Sequence, residues 1–138
     1  MKMIVSKALN YMYIGLDWTK LALKTLLADK LSAILLIITL LINVLTWVAS
    51  YFLNNIIATD LAVLHYNVVF GIDLVGDASQ LYFTPFIALV ILIVNILLAA
   101  FLKNKRDKLI SAMLLSIALV VNIFCLAALY FSYIINFS

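Results

Sequence analysis

Three long apolar runs limit the folds open to this chain more than any other feature. They extend from Leu31 to Leu53, from Tyr82 to Leu102 and from Leu109 to Ile135. None of them contains Asp, Glu, Lys, Arg or His. A helix needs about 20 apolar residues to cross a bilayer, and a chain in lipid must satisfy its backbone hydrogen bonds within helices or a closed barrel. The runs therefore predict three transmembrane helices.

The composition excludes a soluble domain. Of the 138 residues, 68% are hydrophobic and 11% are charged. A small soluble domain buries only part of its apolar surface, so lipid must cover the remainder here. The net charge of +3 does not indicate nucleic-acid binding, because the basic residues flank the apolar runs. The length allows one domain, and we predict a single all-α membrane domain over residues 1–138.

The distribution of basic residues predicts the orientation of the bundle. All nine lie before the first run or in the connector 103–108, and none lies in the loop 54–81 or the C-terminal tail. Basic segments stay on the cytoplasmic side. We therefore expect an antiparallel three-helix bundle in the cytoplasmic membrane of a bacterium, with the N-terminus and connector inside and the loop and C-terminus outside. The basic residues are Lys2, Lys7, Lys20, Lys24, Lys30, Lys103, Lys105, Arg106 and Lys108.

The segment 1–28 has the pattern of a basic amphipathic helix. Its polar residues recur by steps of three and four, which places them on one stripe of a helix. Such a helix lies in the membrane interface and is attracted to anionic lipid. Two alternatives stay open, a docking helix for a partner subunit and a fourth span. The stripe consists of Lys2, Ser6, Asn10, Tyr13, Asp17, Lys20 and Lys24.

Each apolar run carries one asparagine in its interior: Asn43, Asn95 and Asn122. An amide that faces lipid is costly, so each should face a partner helix. Counted from the flanking lysines, Asn43 lies ~20 Å deep and Asn122 ~21 Å, so these two can meet. Asn95 lies ~12 Å deep, near the level of Thr39 and Ser116. We interpret the set as packing contacts. The alternative, a polar path for a substrate or ion, would usually need an ionisable residue.

The loop between the first two runs holds most of the reactive side-chain types. His65, Asp73 and Ser79 are the residue types of a catalytic triad, but no nucleophile motif accompanies them. Histidine and carboxylates could bind a divalent cation, although their spacing matches no metal pattern. We predict instead a compact cap in which Gly71 and Gly76 form turns with positive φ. Recognition of an envelope ligand is the alternative. The many apolar residues of the cap predict that it lies on the membrane.

The loop also resembles a known family. The string His65-Tyr66-Asn67, then Gly71, Asp73 and Gly76, then Pro85 at the start of a span, is similar to a bacterial membrane domain of unknown function. That domain heads the SdpI-type toxin-immunity proteins and places an H-x-N…G…D…G…P pattern between two spans. Short three-span membrane proteins with an L-H-Y-N…F-G-I-D-L-x-G loop also look similar.

The resemblance covers residues 31–105, with two departures from the family pattern. Leu64 replaces the proline that usually precedes the histidine, and the first glycine is displaced by one position. The resemblance implies the membrane architecture, and immunity is the one activity attached to some family members. It also implies that four residues of the loop act as one unit, namely His65, Asn67, Asp73 and Gly76.

From these features we expect a non-enzymatic protein with no cofactor, no metal and no nucleic-acid partner. The leading hypothesis is an accessory or immunity-like envelope protein that engages another membrane or envelope protein through its cap and helix faces. The alternative is a structural subunit of a larger membrane complex, docked through the N-terminal helix. A transporter or enzyme ranks third, and self-association stays open. The candidate recognition residues are His65, Tyr66, Asn67, Gly71, Asp73 and Gly76.

Overall fold

The computed structural model of the chain describes residues 13, 15, 17, 19–21, 23–57, 61–67, 69–104 and 107–137, with only the backbone at 103 and 104. Most of the predicted interfacial helix 1–28 lies outside these residues, and those described between Tyr13 and Leu27 are helical. Among the described residues, three helices are long and apolar enough to cross a membrane. The chain is therefore a multi-pass membrane protein.

The three spanning helices lie where the apolar runs predict them. Helix α1 covers Lys30–Ile56, α2 covers Phe83–Asn104 and α3 covers Lys108–Phe137. Each slightly exceeds its apolar run, except that α2 starts one residue later than expected. The start of α1 is fixed by Asp29, whose carboxylate accepts hydrogen bonds from the backbone N–H of Ser32 (3.1 Å) and from its hydroxyl (2.8 Å). An N-cap of this type satisfies donors that the first helical turn leaves open.

The predicted all-α class is incomplete, because the loop between α1 and α2 contains a β-hairpin. Strand β1 covers Leu61–Asn67 and pairs antiparallel with β2, Gly71–Asp77. A 3-10 helix, Ala78–Tyr82, then leads into α2. The β-branched and aromatic residues of the loop favour strands, and a hairpin pairs backbone groups that an irregular cap would leave to water. The sequence suggested turns at the glycines, and both strands were missed.

The bundle core consists of an apolar cluster towards each end and a polar seam. Helix α3 lies between α1 and α2 and makes most of the interhelical contacts. Leu26 joins the cluster at the connector end, which ties the helical segment before α1 to the bundle. The connector-end cluster is Leu26, Leu36, Ala99, Ala100 and Leu115, and the hairpin-end cluster is Leu53, Leu81 and Leu129.

The polar seam follows one face of α1 along its whole length. Its side chains are at most 3% exposed, whereas many large apolar side chains of the same helix face outwards. This is the pattern expected where lipid surrounds the bundle and small or polar residues bring helices together. Within the described residues, every buried side-chain nitrogen and oxygen atom has a hydrogen-bond partner. The seam comprises Ser32, Thr39, Asn43, Thr46 and Ser50 of α1 with Ser111 and Asn122 of α3.

Candidate recognition site on the hairpin

The register of the hairpin pairs His65 with Leu74, and Asp73, the residue of β2 just before Leu74, is without a pairing partner of its own. The pairs Leu61–Asp77 and Asn67–Gly71 frame the two strands. The pairing register shifts on either side of His65, once on each strand. The two shifts cancel, so the register is the same at both ends of the hairpin. An extra, unpaired residue of this kind forms a β-bulge, which bends the strand and redirects side chains. Asp73 is such a residue, and its side chain meets that of His65.

A short hydrogen bond joins the side chains of His65 and Asp73. The Nδ1 atom of His65 lies 2.6 Å from Oδ1 of Asp73. The side chains are 63% and 42% exposed, respectively. A carboxylate on Nδ1 fixes the orientation of the imidazole and directs its Nε2 atom away from the pair. The arrangement can donate or accept one hydrogen bond to a ligand.

The turn of the hairpin is built by Asn67 and Gly71. The side-chain oxygen of Asn67 accepts hydrogen bonds from the backbone N–H groups of Val69 (2.8 Å) and Phe70 (3.3 Å). Gly71 has a φ of 78°, which agrees with the positive φ expected there. Short hairpin connections commonly need a residue in the left-handed region, and Gly71 supplies it at the start of β2. Asn67 thus serves the turn and makes no direct contribution to the His65–Asp73 hydrogen bond.

Gly76 lies at a crowded position and does not have a positive φ, so the expectation of a positive φ was wrong there. An added Cβ atom would lie 2.6 Å from Cδ1 of Leu64 and 2.9 Å from Oε1 of Gln80. Leu64 packs against the hairpin-end cluster. The glycine therefore lets β2 approach the side chain that fastens β1 to the bundle.

Asn136 fastens the hairpin to α3, and sequence reasoning missed it. Its Oδ1 accepts from the Val63 N–H (2.9 Å) and its Nδ2 donates to the Val63 carbonyl (3.0 Å). The amide thereby satisfies the same two backbone groups that a neighbouring strand would satisfy. The only sequence signal is an amide in an otherwise apolar helix end, Tyr133 to Phe137.

A small cavity separates β1 from α3 below the His65–Asp73 pair. Its volume is about 180 Å³. Such a volume is below the 300–1,000 Å³ typical of ligand pockets, so it can accept one side chain or a small group. Its lining consists of Val63, Leu64, His65, Tyr66, Ala128, Phe131, Ser132 and Ile135.

The third residue of the nominal triad, Ser79, has a structural partner of its own. The backbone N–H of Ser79 donates to Oδ1 of Asp77 (2.7 Å), which caps the 3-10 helix. Hydrogen bonds from the Ser79 side chain and backbone lower the pKa of Asp77 below its ordinary value of 3.8. Among the described residues, no hydrogen bond joins Ser79 to His65 or Asp73, and no group of three His, Cys, Asp or Glu side chains could hold a metal ion.

The midplane amides of α1 and α3 come together as the depth count predicts. Asn43 Nδ2 donates to Asn122 Oδ1 at 2.9 Å. Asn43 also donates to the carbonyl of Pro85 (3.4 Å), and Asn122 donates to those of Ala118 (2.9 Å) and Ala88 (3.4 Å). One buried amide pair therefore joins all three helices.

Asn95, Thr39 and Ser116 do not form the group that their similar depths predict. The half-buried amide of Asn95 donates to the carbonyl of Ile91, one turn earlier on α2 (2.9 Å). Thr39 and Ser116 each donate to the carbonyl four residues earlier on their own helices. Equal depth was insufficient because contact also requires that the residues face each other around the helix axes.

Comparisons of this chain with protein-family models, curated proteins and solved structures find no match. The similarity to the SdpI-type membrane domain therefore stays a prediction that rests on the loop residues. The hairpin gives those residues distinct places: His65 pairs with Asp73, Asn67 forms the turn, Gly76 permits close packing, and the exposed Tyr66 borders the cavity.

Proposed function

We propose that this chain is a non-enzymatic, accessory or immunity-like protein of a bacterial cytoplasmic membrane. In this proposal it binds another membrane or envelope protein through its hairpin. The observation that carries the proposal is the exposed His65–Asp73 pair on a hairpin that is fixed at its turn, at Gly76 and at Asn136. Exposed ion pairs contribute only about 0–1 kcal/mol to stability, so stability alone explains this pair poorly.

The chemistry of the pair fits recognition of a protein surface. Asp73 orients the imidazole of His65, and the oriented Nε2 atom can hydrogen-bond a partner without a large loss of side-chain freedom. Tyr66 is 46% exposed beside it, and tyrosine is enriched among residues that dominate binding energy at interfaces. The non-enzymatic part of the proposal is supported by the hydrogen bonding of Ser79 to Asp77.

Site-specific photo-crosslinking in the native host tests this proposal. A photoreactive phenylalanine analogue at Tyr66 should give one discrete adduct with a partner protein, whereas the same analogue at Phe124, an exposed side chain within α3, should give none. His65→Asn and Asp73→Asn should each abolish the Tyr66 adduct at unchanged protein levels. An adduct that survives both substitutions, or a lack of adduct at Tyr66, would refute the role of the pair. A secreted peptide as partner would favour immunity.

The proposed orientation places the hairpin outside the cell and the basic connector inside, with the three spans antiparallel. It is supported by the confinement of all nine Lys and Arg residues to the first 30 residues and the connector. In a Cys125→Ser background, cysteine at Asp60 or Asp77 should react with an impermeant thiol reagent in intact cells. Cysteine at Asn104 should react only after the membrane is opened. Reaction at Asn104 alone would reverse the orientation.

The alternative function, a structural subunit of a larger membrane complex, is favoured by the segment before α1. Leu26 is fully buried in the connector-end cluster, whereas Leu21, Leu23 and Leu27 are 45–56% exposed. A rigidly attached apolar face of this kind could dock a neighbouring subunit. Crosslinking from Leu23, independent of His65, would support this function over recognition through the hairpin.

A further inference from the structure

The height of the hairpin along the bundle follows from its contacts with α3. Measured from Lys108, Ala128 lies ~30 Å and Asn136 ~42 Å along the helix axis. A bilayer has a hydrocarbon core of about 30 Å and a total thickness of about 40–45 Å. Because Asn136 binds Val63, and Ala128 to Ile135 line a cavity with Val63 to Tyr66, β1 lies beside the part of α3 that crosses the lipid headgroup layer.

The same height follows independently from Leu64. Its side chain packs against the cluster of Leu53, Leu81 and Leu129, and Leu129 lies ~32 Å from Lys108. The depth scale is consistent between helices, because the bonded amides Asn43 and Asn122 lie ~20 and ~21 Å from the lysines at the connector end. The hairpin therefore lies against the side of the bundle instead of projecting far above it.

The tip of the hairpin, three and four residues beyond Tyr66, presents two large apolar side chains. Val69 is 80% exposed and Phe70 is 82% exposed, so the bundle covers neither of them. The backbone N–H groups of Val69 and Phe70 both donate to Asn67, which lowers the polar cost of moving this turn into a less polar medium. An aromatic ring in the interfacial layer is a common membrane anchor.

We propose that Val69 and Phe70 insert into the membrane leaflet at the hairpin end of the bundle, and that the ligand of this apolar tip is lipid. Lipid is the expected ligand because β1 lies beside the turns of α3 at the level of the lipid headgroups. Insertion would hold the hairpin at a fixed angle and leave His65 and Asp73 at the aqueous surface. This inference does not depend on the proposed partner, because it concerns residues that the recognition pair does not use.

Fluorescence quenching in vesicles tests the insertion. In a Cys125→Ser background, cysteine at Phe70 is labelled with an environment-sensitive fluorophore, and the protein is reconstituted at a high ratio of phosphatidylcholine to protein. The matched control is cysteine at Leu61, which is 62% exposed at the opposite end of β1. The label at Phe70 should emit at shorter wavelength and be quenched by lipids with a nitroxide near the headgroup. Iodide on both sides of the membrane should quench the Leu61 label several-fold more strongly than the Phe70 label.

Two outcomes would overturn the proposal. Equal iodide quenching at Phe70 and Leu61 would place the tip in water. Protection of the Phe70 label from both iodide and lipid nitroxide would mean that protein, here a second copy of the chain, covers the tip. The variant Phe70→Trp repeats the measurement without a label: the emission added to that of the two parent tryptophans should be quenched by lipids brominated near the headgroup. Absence of that quenching in folded protein would also reject insertion.

Discussion

Asn136 and Val63 pair through both atoms of one side-chain amide, although 73 positions separate them. The pair joins the last turn of α3 to an edge of β1, so that a transmembrane helix supports a small sheet. Asn136 Nδ2 also donates to the carbonyl of Ser132 at 2.8 Å, which fixes the amide before the hairpin contacts it. The position of the His65–Asp73 pair relative to the bundle depends on this contact.

Replacement of Asn136 by leucine should loosen the hairpin while leaving the three spans intact. Both backbone groups of Val63 lose their partner, and a poorly satisfied polar group costs about 1–3 kcal/mol. We expect hydrogen exchange at the Val63 amide to accelerate about 10- to 100-fold, since 1.4 kcal/mol corresponds to a factor of ten. Asn136→Asp, which retains the acceptor for the Val63 N–H, should fall between the parent and the leucine variant. Ser132→Ala, one turn earlier on α3, is the control and should leave this amide protected.

The amide pair at the midplane predicts unequal costs for its two members. Asn122→Leu removes the bonds to Asn43, Ala118 and Ala88, whereas Asn43→Leu removes those to Asn122 and Pro85. Hydrogen bonds of this kind average about 0.6 kcal/mol inside membranes. Each substitution should therefore lower the free energy of unfolding by about 1–2 kcal/mol, with the larger loss at Asn122.

The same pair should show coupling in a double-mutant cycle. Residues in contact lose their shared interaction only once, so the double variant should cost less than the sum of the single variants. Unfolding titrations in detergent or bicelles measure the free energy of unfolding of the parent, the two single variants and the double variant. Asn95→Leu serves as the control, because its amide bonds only the carbonyl of Ile91 in its own helix. Additive costs for Asn43 and Asn122 would contradict a direct bond.

The contact between Asn43 and Asn122 could be predicted because the rise of a helix is fixed. At 1.5 Å per residue, a count from the flanking lysines gives depth directly, and the high cost of an amide in lipid gives the direction of the side chain. Asn95 shows the limit of that argument. Depth alone does not predict which residues face one another. The amide of Asn95 donates to the carbonyl of Ile91 in its own helix.

The hairpin depends on contacts between residues that are far apart in the sequence, which a local sequence pattern cannot predict. Asn67 and Gly71 do carry a local signal for a turn, and the structure has that turn. By contrast, the contact of Asn136 with Val63 and the crowding at Gly76 arise only once the strands lie against α3. A glycine between apolar residues indicates either a special φ or a close neighbour, and the sequence does not distinguish the two.

The carboxylate of Asp77 predicts a dependence of hairpin-end stability on acid pH. Its pKa is lower in the folded protein than its ordinary value of 3.8, because of hydrogen bonds from the Ser79 side chain and backbone. The ionised cap therefore stabilises the fold at pH values above 3.8, and this contribution is lost as the pH falls through the lowered pKa. Thermal unfolding of the parent and Asp77→Asn should converge as the pH falls through the lowered pKa of Asp77. Ser79→Ala should retain part of the pH dependence, since the backbone bond remains.

The two glycines of the hairpin should respond differently to the same substitution. Alanine at Gly71 must adopt a φ of 78°, which costs about 1–2 kcal/mol for a residue with a Cβ atom. Asparagine tolerates this region better, so Gly71→Asn should restore most of the loss. At Gly76 asparagine should be worse than alanine, because the difficulty is space beside Leu64 and Gln80.

A second-site change separates the two causes. Leu64→Ala removes the atom that lies 2.6 Å from the added Cβ, so Leu64→Ala and Gly76→Ala together should cost less than the sum of the single changes. The same Leu64→Ala change should be additive with Gly71→Ala, because no atom lies within 4 Å of a Cβ at that position. Hydrogen exchange of the β1 amides measures the local stability of every single and double variant in the two comparisons. Additivity at Gly76 would show that Gln80 or the backbone, and not Leu64, absorbs the added methyl group.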